Sequence, residues 1–261
     1  MKVRRSEIIS THALLIIAAL LAVYPLASII VSSLQGGFQN YVTAWTRGSF
    51  GSALISSAFV AIVVVAITAI VSSLAGFALA TMKVPGGKLI TVLLLMGLVL
   101  PYEVTVLPLY QMLAGWGLVD TYWALILPQI GLSVPLGIFW MRTFFASVPA
   151  ELYEAARIDG ASRLQTLRLV LLPIAGPAIA TLATILFLFT WNEFLLALIL
   201  VPENQAVQTA PLALSFFSGT ARSSDPTVTA AAAVLVALPI VLAYVVLQRR
   251  LITGLVAGAV K

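Results

Sequence analysis

The chain has 261 residues, of which 61% are hydrophobic and only 9% charged, and its mean hydropathy is +1.11. This balance excludes an ordinary soluble domain, in which about a quarter of residues are charged, and marks an integral membrane protein. With no cysteine, disulfides, thiol catalysis and cysteine-held metals or clusters are excluded as well; the net charge of +5 has to be read from where it falls.

In chain order, Lys2, Arg4 and Arg5 precede an apolar run that is too long for the core of a cleaved secretory signal and shows no clear cleavage pattern. It reads as an uncleaved first helix, with the single histidine, His12, as an interfacial side chain at its edge. Uncharged windows cover Ile8 to Thr46, Gly48 to Met82, Thr121 to Met141 and Pro226 to Gln248. Each holds the roughly 20 apolar residues that cross about 30 Å of hydrocarbon. Two more windows each carry one acid: Leu89 to Tyr110 contains Glu103, and Pro177 to Val201 contains Glu193. The expectation is an all-α integral membrane protein forming a single transmembrane domain over 1–261. Its six spans are placed near 12–32, 54–80, 89–110, 121–141, 177–201 and 229–248. The windows are far longer than the alternating, roughly ten-residue unit of a membrane barrel, which excludes strands.

Six spans divide the basic residues unevenly. Lys2, Arg4, Arg5, Lys83, Lys88, Arg142, Arg157, Arg163, Arg168, Arg249, Arg250 and Lys261 fall on one side, leaving only Arg47 and Arg222 on the other. The positive-inside rule places the richer side, with both termini, in the cytoplasm. This asymmetry accounts for the net charge without any nucleic-acid partner. Gly86-Gly87-Lys88 in the Pro-Gly turn fails as a phosphate loop, because Leu89 follows the lysine and no glycine stands five residues upstream. Any ATP is therefore left to another chain.

The segment 147–175 is too polar to be part of a span. Pro149 suits the first turn of a helix running to about Ile158, and Gly160 stands where a helix stops with positive φ. Ser162 and Gln165 form an S-x-x-Q capping box that opens a second helix. Leu164, Leu167 and Leu171 then fall on one face, and Pro173 and Pro177 are expected to end the helix. Physical reasoning leaves two uses open: a helix–Gly–helix device that meets a soluble partner at the membrane surface, or an amphipathic linker packed on its own bundle.

The spacing of Glu154-Ala155-Ala156, three residues, Gly160, nine residues, then Val170-Leu171-Leu172-Pro173 resembles the coupling loop of permease subunits of bacterial ABC importers. Isoleucine is usual where Val170 stands. Glu154-Ala155-Ala156-Arg157-Ile158-Asp159-Gly160-Ala161-Ser162 is similar to the carbohydrate branch of that family, which includes maltose and glycerol-phosphate uptake systems. So are Trp191-Asn192-Glu193 and the tail Gln248 to Lys261, although relatives often carry one more glycine after the lysine. The resemblance implies the type I importer permease fold, with Glu154, Ala155, Ala156, Asp159 and Gly160 as the residues that dock in a cleft of an ATPase subunit. It also implies a second permease completing a heterodimer, an ATPase dimer holding the ATP and Mg, a contact from the 249–261 tail to those ATPases, and an extracytoplasmic solute-binding protein. The expected location is the cytoplasmic membrane of a bacterium or archaeon, and this chain itself has no cofactor, no metal site and no catalytic residue.

Inside the membrane, Glu103 lies about 22 Å along a helix from Lys88, and Glu193 about 24 Å from Pro177. An intramembrane acid must face a bundle interior or water. Tyr102, Glu103, Trp191, Asn192 and Glu193 are therefore candidates for a translocation path or outer gate, the competing use being a structural network between helices or an interfacial anchor. Two rival functions are weaker. A membrane enzyme would need acid, histidine or metal-ligand spacing that the chain lacks, and an ion-coupled secondary transporter would show inverted repeats and have no use for the Glu154 loop. The solute remains open among sugars, glycerol-phosphate, amino acids and peptides.

Overall fold

A bilayer offers no partner for backbone N–H and C=O groups, so long apolar segments satisfy themselves as helices. The computed structural model describes residues 5–99, 101–219 and 225–259, and all regular structure among the described residues is helical. The elements are α1 (Arg5–Leu34), α2 (Gln39–Arg47), α3 (Phe50–Thr81), α4 (Gly87–Val99), α5 (Val106–Gly115) and α6 (Tyr122–Ser147). They continue with α7 (Ala150–Ile158), α8 (Arg163–Ile174), α9 (Gly176–Trp191), α10 (Leu195–Leu200), α11 (Ala210–Gly219) and α12 (Pro226–Ala259).

Four of these are long and apolar enough to cross a bilayer unbroken: Thr11–Leu34 within α1, α3, α6, and Pro226–Val245 within α12. The remaining two expected spans are not straight. Where one span was expected near 89–110, α4 ends at Val99 and the chain turns by 91° into Tyr102–Gly115. Pro101 causes the turn: it stands extended at φ −64°, ψ 117° and opens a single 3-10 turn, Tyr102–Thr105. Where a span was expected over 177–201, α9 stops at Trp191 and α10 starts at Leu195, with Asn192, Glu193 and Phe194 between them.

The chain divides into two compact units, 1–51 with 213–239 and 52–212 with 240–261. In the first, Asn40 donates from Nδ2 to the Ser33 carbonyl at 3.1 Å, and Ser33 Oγ lies 2.7 Å from the Tyr41 hydroxyl, which ties α2 back onto α1. The rings of Phe50 and Phe217 stack at 6.0 Å. Asp225 caps α12 by accepting from the Thr227 amide at 2.9 Å and the Thr227 hydroxyl at 2.8 Å. These bonds hold its carboxyl below the usual carboxylate range.

The second unit carries three apolar clusters. Val60, Val64, Leu125, Ile126 and Val201 form one, and Val106, Leu113, Ala124, Leu196 and Leu200 another. The third joins Phe77, Met141, Phe145, Leu167, Leu171, Leu182 and Leu186, so α8 is rooted in the same core as α3, α6 and α9. Helices α3 and α6 approach closely. A Cβ on Gly76 would lie 2.7 Å from the Arg142 amide nitrogen, and one on Gly137 would collide with the Ser72 hydroxyl. Small residues at such crossings let backbones pack where lipid supplies no hydrophobic drive.

Candidate functional site

The Glu154 loop is built from local signals. Pro149, extended at φ −55°, ψ 136°, leads into α7, which ends in a Schellman motif. Gly160 N–H donates to the Arg157 carbonyl at 3.1 Å and Ala161 N–H to the Ala156 carbonyl at 2.9 Å, with Gly160 at φ +74°. The Ser162–Gln165 capping box forms in both directions: Ser162 N–H donates to Gln165 Oε1 at 2.8 Å, and Gln165 N–H to Ser162 Oγ at 3.3 Å. Helix α8 then widens into a π turn over Thr166–Leu171, recovers at Leu172, runs through Pro173 to Ile174 and bends by 76° into α9. Pro173 therefore does not end the helix, and Pro177 sits in the first turn of the next one.

Three side chains fix the loop to the bundle. The Tyr153 hydroxyl donates to the Phe145 carbonyl at 2.7 Å, joining α7 to the end of α6. Burial pushes this phenol above its ordinary value, so it keeps the proton it donates. Leu167 and Leu171 are fully buried, whereas Leu164, expected on the same face, is 66% exposed. The π turn lies between Leu164 and the recovered α register, and the extra residue per turn shifts the phase.

Of the residues expected to dock, Glu154, Ala155, Asp159 and Gly160 are exposed and Ala156 is buried, its small side chain allowing α7 to lie on the π turn. Around them Arg157, Arg163 and Arg168 are exposed, as are the apolar side chains of Ile158 (86%) and Leu164. The surface combines both charge signs with uncovered aliphatic carbon.

The interior candidates come together only in part. The Tyr102 hydroxyl interacts with the Glu193 carboxylate and feels the charge of Glu103, so the segments 89–110 and 177–201 meet where each is interrupted. Glu193 is half-buried, and its Oε1 accepts the Leu196 amide at 2.9 Å, which caps α10. Asn192 is exposed, with Nδ2 donating to the Leu188 carbonyl at 2.8 Å; Glu103 is exposed too. Trp191 is 3% exposed and packs on Phe187 at 5.5 Å, so its ring is a packing element with no open face for a ligand.

One cluster was missed in the sequence. Asp120, at φ 61°, accepts from the Glu203 and Asn204 amides at 3.0 Å each through Oδ1, and its carbonyl accepts Asn204 Nδ2 at 2.9 Å. Nearby, Ser56 Oγ and the Tyr122 hydroxyl both donate to the Ala206 carbonyl, at 2.9 and 3.2 Å. Together they pin the connection 201–209. Its only sequence signal was Asp120 before Thr121, a residue type that tolerates left-handed backbone.

Comparison with known proteins decides the family. The model of the binding-protein-dependent transport system inner membrane component matches residues 72–255. The chain belongs to this family of transport permeases. The match spans the Glu154 loop, the broken spans and the Asp120 hub. The chain is 36% identical over 225 residues to the trehalose transport system permease protein of Mycobacterium tuberculosis, covering 86% of this chain and 82% of that protein. It is 32% identical over 264 residues to the diacetylchitobiose uptake system permease protein of Streptomyces coelicolor, covering 95% and 87%. Among solved structures, a bacterial ABC transporter involved in import of the acidic polysaccharide alginate shares the fold at a TM-score of 0.75 and 24% identity, over 95% of this chain and 99% of that one. As a member of the permease family, the chain is a membrane-embedded transport subunit.

Proposed function

We propose that this permease forms half of the transmembrane pathway for uptake of a sugar or oligosaccharide, and that its Glu154 loop docks on a separate ATPase chain. The exposed α7–Gly160–α8 surface carries the reading. It is capped at the end of α7 and at the start of α8 and rooted by Leu167, Leu171 and Tyr153, yet it leaves Glu154, Asp159, Ile158 and Leu164 uncovered. A linker that only packed on its own bundle would turn Ile158 and Leu164 inward. The names of the relatives, which transport trehalose, diacetylchitobiose and, in Halalkalibacterium halodurans, arabinooligosaccharides, support a carbohydrate solute. In this reading the loop and both termini face the cytoplasm, a second permease closes the pathway, an ATPase pair supplies ATP and Mg, and a solute-binding protein delivers from outside. Tyr102, Glu103, Asn192 and Glu193 border the pathway, with Trp191 as packing behind it.

The test uses Glu154→Ala, Gly160→Val and Gly160→Asn in the assembled transporter. Removing one member of a desolvated charged pair costs about 2–5 kcal/mol, or roughly 30- to 3,000-fold in docking. Nothing lies within 4 Å of a Cβ on Gly160, so the cost there is conformational: valine is strained at φ +74°, whereas asparagine tolerates it. Expected are normal membrane insertion throughout, loss of the ATPase or futile hydrolysis for Glu154→Ala and Gly160→Val, and near-normal uptake for Gly160→Asn. Coupled uptake at wild-type rates by the first two variants would reduce the loop to a linker.

A further inference from the structure

A cavity of about 480 Å³ opens beside the turn that joins α3 to α4, and its wall carries three cations, Lys83, Lys88 and Arg142, with no acid. None of the three forms an ion pair among the described residues, and both lysines are exposed. The N-terminus of α4 at Gly87 also borders it, adding the positive end of a 13-residue helix. Leu79, Thr91 and Arg142 are shared with a cleft of only about 10 Å³ between α4 and α6, too small for an acyl chain, beside which Leu95 and Phe139 are exposed. That cleft is apolar apart from the shared Thr91 and Arg142, and the Thr91 hydroxyl is already committed to the Gly87 carbonyl at 2.8 Å.

We infer that this is a binding site for an anionic phospholipid, its phosphate among Lys83, Lys88 and Arg142 and an acyl chain over the exposed Leu95 and Phe139. The cavity lies where an apolar 32-residue span ends and the next helix begins, at the depth of lipid headgroups. Basic pockets between helices on the positively charged side of a membrane protein suit such headgroups, and arginine adds a planar fork of donors for phosphate oxygens. A free anion would use the cations but leave the exposed Leu95 and Phe139 uncovered. A neutral lipid would cover those side chains but leave three unpaired cations. Only an anionic lipid satisfies both halves. The inference goes beyond the transport reading and depends only on α3, α4 and α6 lying in a bilayer.

The full-length chain, purified with its partner subunits from nanodiscs holding equal phosphatidylglycerol and phosphatidylcholine, is washed in detergent, and the retained lipid is weighed by native mass spectrometry. Phosphatidylglycerol should be retained in preference. Lys83→Gln or Lys88→Gln should each lower its retention about fivefold, and adding Arg142→Gln should abolish the preference. Phe139→Ala should lower retention with all three cations present, and excess inorganic phosphate should leave the lipid bound. Equal retention of the two lipids, or a preference untouched in the triple variant, would overturn the site. Displacement by phosphate, or indifference to Phe139→Ala, would assign it to a free anion and sink the lipid reading. If the triple variant fails to assemble, the single lysine variants, both at exposed positions, decide the matter.

Discussion

Gly86 and Gly76 are small for opposite reasons. Gly86 stands at φ +71° with nothing within 4 Å of a Cβ, so alanine there costs only the left-handed backbone, about 1–2 kcal/mol. Gly76 lies in ordinary helix, but its Cβ would meet Arg142 N at 2.7 Å and Met141 Cβ at 2.8 Å, and helix backbone cannot yield as a side-chain tip can. Gly76→Ala should cost about 1–3 kcal/mol and lower the unfolding temperature in detergent, with larger losses for valine. Glu193 presents a different division of labour, since one carboxylate oxygen caps α10 while the charge sits beside Tyr102. Glu193→Gln keeps an acceptor for the Leu196 amide and should fold normally, whereas Glu193→Ala should lose about 1 kcal/mol with the cap. If the charge serves a wet pathway, Glu193→Gln and Glu103→Gln will both slow uptake at unchanged thermal stability. Uptake at wild-type rates in both would leave these acids a structural role only.

Among the elements, α7 is the one whose attachment can be tested with a single atom. Tyr153→Phe removes the hydroxyl that donates to the Phe145 carbonyl, a net loss of about 1 kcal/mol. Amide exchange across Ala150–Ile158 should rise about fivefold while exchange in α6 holds, because local opening of a short helix tracks its few tethers. This loop was the most legible part of the chain. Gly160, Ser162 and Gln165 act on neighbours within a few residues, and the structure has them at φ +74° and in a two-way capping box. The interrupted spans were less legible for the same reason. Hydropathy reports that 89–110 and 177–201 are apolar but contains no direction. The 91° turn after Val99 and the break at Asn192 to Phe194 depend on where α5 and α10 find their neighbours. Pro101 makes the first break; at the second, only Asn192 and Glu193 interrupt the apolar run. Leu164 was misplaced because a π turn cannot be read from a 3.6-residue pattern.

At the scale of the whole molecule, the separation of basic residues predicts the orientation. Alkaline phosphatase fused after Ser162 should be inactive, since that loop is read as cytoplasmic, and a fusion after Asp225 should be active. Activity after Ser162 would reverse the molecule in the membrane. The same scale gives the π turn of Thr166–Leu171 its meaning. Such a turn amounts to one residue beyond what an α-helix would use, and each α-helical residue rotates the chain by about 100°. Leu167 and Leu171 are locked in the core, so the extra residue turns the exposed end of the rod, where Arg163 and Leu164 stand, and leaves the buried end in place. The aim of the proposed docking surface is thus set by counting rather than by contact. A one-residue deletion between Leu167 and Leu171 would set these two buried side chains about 100° out of phase, so that keeping Leu171 in the core would point the surface the wrong way.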